Sequence, residues 1–220
     1  MASVTSKPAS GGLPSVNISP HCHLDPASYV KGTHQLTLKA GVLVHPRSKL
    51  FTELGSITIK EGSIVSERCT IGTSTPHDLT MQHQRQAPGQ PELPITIGRS
   101  VYIHPNVKVQ SPCTIADFVI LEPGVAVSPH CVINSHAKIC AGVALPAGTV
   151  IPSWTVVYGT DGRMRRRRHK DASEDSRLDG MARERSAAVQ LLKMSTIASK
   201  TASGTSANTS RSKKESVHRN

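Results

Sequence analysis

From Ile97 onward an aliphatic residue returns at every sixth position: Ile97, Ile103, Val109, Ile115, Leu121, Val127, Ile133, Ile139, Leu145, Ile151 and Val157. Hydrophobic residues make up 37% of the chain, and at that rate eleven successive hits arise by chance about twice in a hundred thousand trials. A period of six is neither the 3.6 of an amphipathic helix nor the alternation of a half-buried strand. A second lattice runs four residues behind the first: Val101, Val107, Cys113, Val119, Val125, Cys131, Ala137, Val143, Thr149 and Thr155, all small or β-branched. Together they predict an all-β solenoid, a parallel β-helix whose coils have three flat sides of about six residues each. The aliphatic lattice fills the prism, and the second lattice sits near corners, where space is tight. Between them stand Pro105-Asn106, Glu122-Pro123-Gly124, Pro129-His130 and Pro146-Ala147-Gly148. Gly and Asn tolerate the positive φ that a sharp corner needs, and Pro presets its approach. Each buried aliphatic contributes about 1.5–3 kcal/mol, most of it offset by chain entropy, so a coil needs stacked neighbours.

The rhythm is broken earlier in the chain. Ile18, Leu24 and Val30 form one set, with Cys22 on the second lattice. Leu38, Val44 and Leu50 follow after a two-residue slip near His34-Gln35. Ile59, Val65 and Ile71 form a third set, with Cys69 on the second lattice, after a nine-residue step from Leu50 that predicts a bulge or small loop. The polar, Pro- and Gln-rich stretch 73–94 then predicts a loop thrown out from one corner; loops of that length are usually functional or unstructured. The β-helix is expected over 16–160, after a disordered stretch 1–15.

Aromatic residues are only 3% of the chain, which suits a prism of Ile and Val better than a sandwich or a doubly wound sheet. The net charge of +11 is uneven: residues 1–161 hold 11 Lys/Arg against 9 Asp/Glu, and residues 162–220 hold 15 against 6. Five cysteines form no CxxC pair. Those on the second lattice read as compact fillers, and unpaired buried thiols fit a reducing compartment. No run approaches the 18 apolar residues of a membrane span, and the N-terminus has no signal-peptide core, so no membrane insertion is expected.

A basic run with Arg163, Arg165, Arg166, Arg167 and Arg168 occupies a linker expected over 161–172. It reads as a solvated linker, a contact to an acidic protein surface, or a nuclear signal or nucleic-acid patch. Without interleaved aromatics, nucleic acid is not expected as a partner. Residues 173–199 predict a helix, capped by Ser173 and with Glu174 and Asp175 suited to its positive end. Leu178, Met181, Ala188, Leu191 and Leu192 share one arc of that helix, and Gly180 weakens it. The helix is expected along one flat side of the prism, and the Ser/Thr/Lys stretch 200–220 is expected to be disordered.

Two enzyme classes are built on prisms of this kind, trimeric hexapeptide-repeat acyltransferases and γ-class carbonic anhydrases, and both need histidines. The anhydrases hold zinc with three. In the matching stretch Pro105 and Gln110 stand where two ligands should be, and His104 is one residue out of phase. His77 and His83 lie in the loop without partner spacing. An acyltransferase needs a base, but His45, His104, His130 and His136 read as polar corner residues, with no carboxylate spaced to orient one. No metal, cofactor or catalytic residue is therefore assigned, and an enzyme of either class stands as the alternative reading.

The closing stretch "IPSWTVVYGTDGRMRR", the segment "GVLVHPRSKL" and the missing ligand histidines resemble the dynactin subunit 6 family of left-handed hexapeptide-repeat β-helices over roughly residues 16–193. That resemblance implies a left-handed helix and a non-catalytic adaptor in the pointed-end complex of dynactin, in the cytoplasm and on the cytoskeleton. The implied partners are dynactin subunit 5, dynactin subunit 4 and the pointed-end actin-related protein, with dynein reached indirectly in microtubule-based transport of cargo such as endosomes. The basic run is longer and the tail simpler than in that family, and Val30-Lys31-Gly32-Thr33 stands where related anhydrases carry "RGD". By charge and exposure, Arg163, Arg165, Arg166, Arg167, Arg168, Leu178, Met181, Leu191 and Leu192 are the candidate partner-binding residues.

Overall fold

The computed structural model describes residues 15–73, 92–159, 163–166 and 172–205. Three parallel sheets form the sides of a prism of about six turns. The first side stacks β1 (Val16–Ile18), β4 (Leu36–Leu38), β7 (Ile57–Ile59), β10 (Ile95–Ile97), β13 (Cys113–Ile115), β16 (Cys131–Ile133) and β19 (Val150–Ile151). The second stacks β2 (His23–Leu24), β5 (Leu43–Val44), β8 (Ile64–Val65), β11 (Tyr102–Ile103), β14 (Ile120–Leu121), β17 (Lys138–Ile139) and β20 (Thr155–Tyr158). The third stacks β3 (Tyr29–Gly32), β6 (Lys49–Thr52), β9 (Thr70–Ile71), β12 (Lys108–Val109), β15 (Ala126–Val127) and β18 (Ala144–Leu145).

Registers show how the coils are closed. Ile97 lies opposite Ile115, Ile115 opposite Ile133 and Ile133 opposite Ile151, a step of 18 residues each time. Earlier coils are longer: Ile18 pairs with Leu38 and Leu38 with Ile59. These are the slip and the nine-residue step read from the sequence. Ile59 pairs directly with Ile97, so the wall is continuous from β7 to β10. Residues 74–91 of the expected loop lie outside the described residues.

All eleven members of the aliphatic lattice are no more than 2% exposed. Of the second lattice only Thr149 is half-exposed. The first coil departs from expectation: Ile18 is 49% exposed, and Leu24 and Val30 are only partly buried. It has a neighbouring coil on one side alone among the described residues, so half of its stacking contacts are missing. Corners use left-handed backbone. Between the second and third sides, successive coils place Arg47, Arg68, Asn106, Gly124 and Gly142 there, with φ from 57° to 73°.

Part of the stretch expected as a basic linker is strand: β21 (Arg163–Arg166) pairs antiparallel with β20, Met164 opposite Val157. Alternation within "RMRR" allows the pairing, and Tyr158 lies opposite Arg163. The helix α1 spans Ala172–Thr205, starting one residue before the expected 173–199 and running into the stretch expected to be disordered. It belongs to a second compact unit that begins at Ser176. Residues 1–14 and 206–220, expected to be disordered, lie outside the described residues.

Candidate functional site

The outer face of the second side brings titratable side chains together. On β11, Ile103 points into the core with 0% exposure, so its neighbours Tyr102 and His104 point out. Their rings stack at 4.1 Å with planes 19° apart, which fixes the imidazole against the sheet. The position that follows the inward residue repeats on each coil, and parallel register stacks it. That column reads His45, Ser66, His104, Glu122 and Cys140.

His104 thus has a carboxylate on the next coil. Backbone bonds set both residues: the His104 N–H donates to the Leu121 carbonyl at 2.9 Å, and the Glu122 N–H to the Ile139 carbonyl at 2.9 Å. Glu122 Oε1 lies 2.6 Å from Lys138 Nζ, and Oε2 accepts the Ala141 N–H at 3.0 Å. Burial pushes the Glu122 pKa up, but the Lys138 hydrogen bond, the Ala141 N–H and the charges of Lys138 and His104 together hold it below the usual carboxylate value. The carboxylate therefore stays ionised beside the imidazole at neutral pH. Both carboxylate oxygens are held by Lys138 and Ala141, so Glu122 acts on the imidazole of the neighbouring coil through its charge.

The sequence signal for this pair is a separation of 18. Stepping by six follows the chain around the prism; stepping by three sides finds the residue above or below. The expectation that no carboxylate was spaced to reach a histidine missed this neighbour on the next coil. The same step reveals a ladder at the corner between the first and second sides. Phe118 stacks on His136 at 4.8 Å, and His136 on Trp154 at 4.0 Å with planes 4° apart. Beside it Arg99 grips Asp117 in a fork, with Nε 3.0 Å and Nη2 2.8 Å from Oδ2.

The remaining candidates do not converge. His130 is an exposed residue at the corner between the third and first sides. Arg163 is exposed, the backbones of Arg165 and Arg166 lie in β21, and Arg167 and Arg168 are outside the described residues. On α1, Leu191 is 67% exposed, Met181 is 6% exposed and Leu178 is intermediate, while Leu192 is placed only as a helical residue. Met181 Sδ takes a 3.7 Å contact from Arg177 Nη1. The cysteines are free thiols. Burial pushes Cys69 and Cys113 up to about 12, and raises Cys131 as well, so they are packing groups rather than nucleophiles. Among the described residues no three His, Cys, Asp or Glu side chains gather to hold a metal ion.

No protein-family model matches the sequence, and no curated protein matches it. Among solved structures the chain is similar to a hexapeptide transferase family protein from Anaplasma phagocytophilum, at a TM-score of 0.54 and 15% identity over 82% of this chain and 91% of that one. The fold is the left-handed hexapeptide-repeat β-helix. Weaker similarity extends to a hexapeptide-repeat acetyltransferase from Vibrio cholerae O1 biovar eltor, solved with acetyl coenzyme A, at a TM-score of 0.39 and 18% identity over 72% of this chain and 73% of that one. A UDP-N-acetylglucosamine acyltransferase follows, at a TM-score of 0.38 and 21% identity over 70% of this chain and 58% of that one. These identities speak to the fold. The expectation of a non-catalytic dynactin pointed-end subunit is corrected to what the comparison carries: the structure that shares this fold over 82% of the chain is named a hexapeptide transferase family protein.

Proposed function

We propose that the chain is an acyltransferase of the hexapeptide-repeat type with His104 as its general base. The observation that carries this is the His104–Glu122 pair on adjacent coils of one exposed β-face. Neutral His104 takes the proton of an acceptor hydroxyl or amine as that atom attacks the carbonyl carbon of an acyl thioester. Glu122 stabilises the imidazolium so formed, and Lys138 keeps Glu122 ionised. Collapse of the tetrahedral intermediate breaks the C–S bond, and the departing thiolate takes the proton from His104. Tyr102 is a positioning residue, which holds the imidazole plane by stacking.

The test is thiol release from acetyl coenzyme A by the full chain against a panel of amino and hydroxyl acceptors. Turnover is expected to fall by about 10²–10⁴ in His104→Ala. Glu122→Gln should lower kcat more than it raises KM. Turnover that ignores His104→Ala, or no turnover with any acceptor class, would overturn the proposal.

A further inference from the structure

The third side of the prism carries a surface that acyl transfer does not use. Tyr29, Lys49, Thr70 and Lys108 lie in register on successive coils. At the adjoining corner Arg47 and Arg68 stand on neighbouring coils, both in left-handed backbone and both exposed. Lys49 and Lys108 are exposed too, and Tyr29 is 50% exposed, with its ring edge-on to Phe51 at 5.9 Å. None of the four cations has an ion pair among the described residues, whereas Lys31, Arg99 and Lys138 are each matched to an acid. Glu67 is half-buried before Arg68, and Glu122, further along the same corner, is held by Lys138. Further along, both columns turn to Ala126, Ala144, Gly124 and Gly142, which leave the face smooth.

We infer that this face binds single-stranded nucleic acid along the prism axis. Coils are about 4.8 Å apart, so Lys49 and Lys108 are about 10 Å apart on a straight line, and a linear polyanion can engage both columns at once. Among the described residues the face is a flat sheet without walls, which holds a small ligand poorly. Among the described residues the face lacks the exposed aliphatic side chains that lipid insertion or a protein interface core would use. What it has is a line of cations headed by one aromatic ring, the combination of phosphate contacts and base stacking that single strands use. The expectation against nucleic acid rested on the run near Arg165, where no aromatic is interleaved; here the fold brings Tyr29 to cations distant in sequence.

The test is fluorescence anisotropy of a labelled oligothymidylate on the full chain, with circular dichroism as a check on folding. Binding should show a log–log salt slope of about −3 if four phosphates are neutralised, and R47E/R68E should weaken it at least tenfold. Tyr29→Ala should weaken it about tenfold while leaving binding of an abasic oligomer unchanged, which bare charge attraction would not do. Replacing Arg165, Arg166, Arg167 and Arg168 by Gln separates the tail from the face: loss in that variant alone overturns the inference. So would equal binding of polyglutamate or phosphatidylserine vesicles, or indifference to R47E/R68E. None of these residues is in the His104 site, so the result does not depend on acyl transfer.

Discussion

The coils over 95–157 and those over 16–71 fold into the same prism by different means. In the later coils the step is a constant 18 residues, so like falls on like and side chains form columns: Cys113 over Cys131, Phe118 over His136 over Trp154, and His104 next to Glu122. In the earlier coils the step varies, and the extra residues are accommodated where backbone meets backbone. A side-chain atom on Gly72, at φ 97°, would collide with the Phe51 carbonyl oxygen, and on Gly55 with the Leu93 carbonyl. Gly142 in the regular half has a similar φ of 72° but open space around it. The regular half stabilises through side-chain stacks and has one such close approach, Gly98 against the backbone of Ala116 and Asp117, whereas Gly55 and Gly72 make theirs beside the steps where the coil length changes.

The largest expected effect tests that contrast directly. Gly72→Ala should cost about 3 kcal/mol in urea denaturation, from steric overlap added to left-handed strain. Gly142→Ala should cost about 1 kcal/mol, from the strain alone. Equal costs would mean that the irregular coils are no more tightly closed than the regular ones. A middle-sized effect isolates the ladder. His136 and His130 share a φ of 62°, which Asn tolerates, but only His136 is sandwiched between two rings. His136→Asn should lose about 1–2 kcal/mol and His130→Asn no more than about 0.5 kcal/mol, as read from paired thermal melts. The smallest effect is a pH dependence. The folded Glu122 pKa lies below its usual value, so its contribution to stability is full above the unfolded pKa of about 4.3. It fades as pH drops through the folded value. Glu122→Gln should therefore be less stable than the parent at pH 7, with the gap closing below about pH 4; a gap that persists in acid would show that the Lys138 and Ala141 contacts act through packing instead.

The prism, its inward residues and the sites of its slips were all legible, because a six-residue lattice records which side chains face in, and a break in it records an insertion. The candidate site was harder to see, because the residues proposed for it lie at outward positions, where burial imposes no pattern. His104 and Glu122 differ in residue type and share only a separation of 18, so a search along the chain passes over them. Trp154 was part of the quoted closing motif, but its partner His136 is a full coil away. β21 was hidden for another reason: four residues of "RMRR" look like a solvated charge run until Val157 is seen to lie opposite Met164. The resemblance in the closing stretch carried the dynactin expectation, but a short terminal sequence constrains how a prism ends, not what its faces do.

That ending carries a consequence of its own. A solenoid is a growth template: any coil offers the next the same hydrogen-bonding edge, and nothing in the repeat says when to stop. β21 supplies the stop on the second side. It satisfies the outer edge of β20 with a strand of opposite direction, so a further coil of the same hand finds the wrong polarity there. The four residues that looked like a tether thus act as a terminator, which closes one of the three rails along which copies of this prism could otherwise join end to end into a fibre.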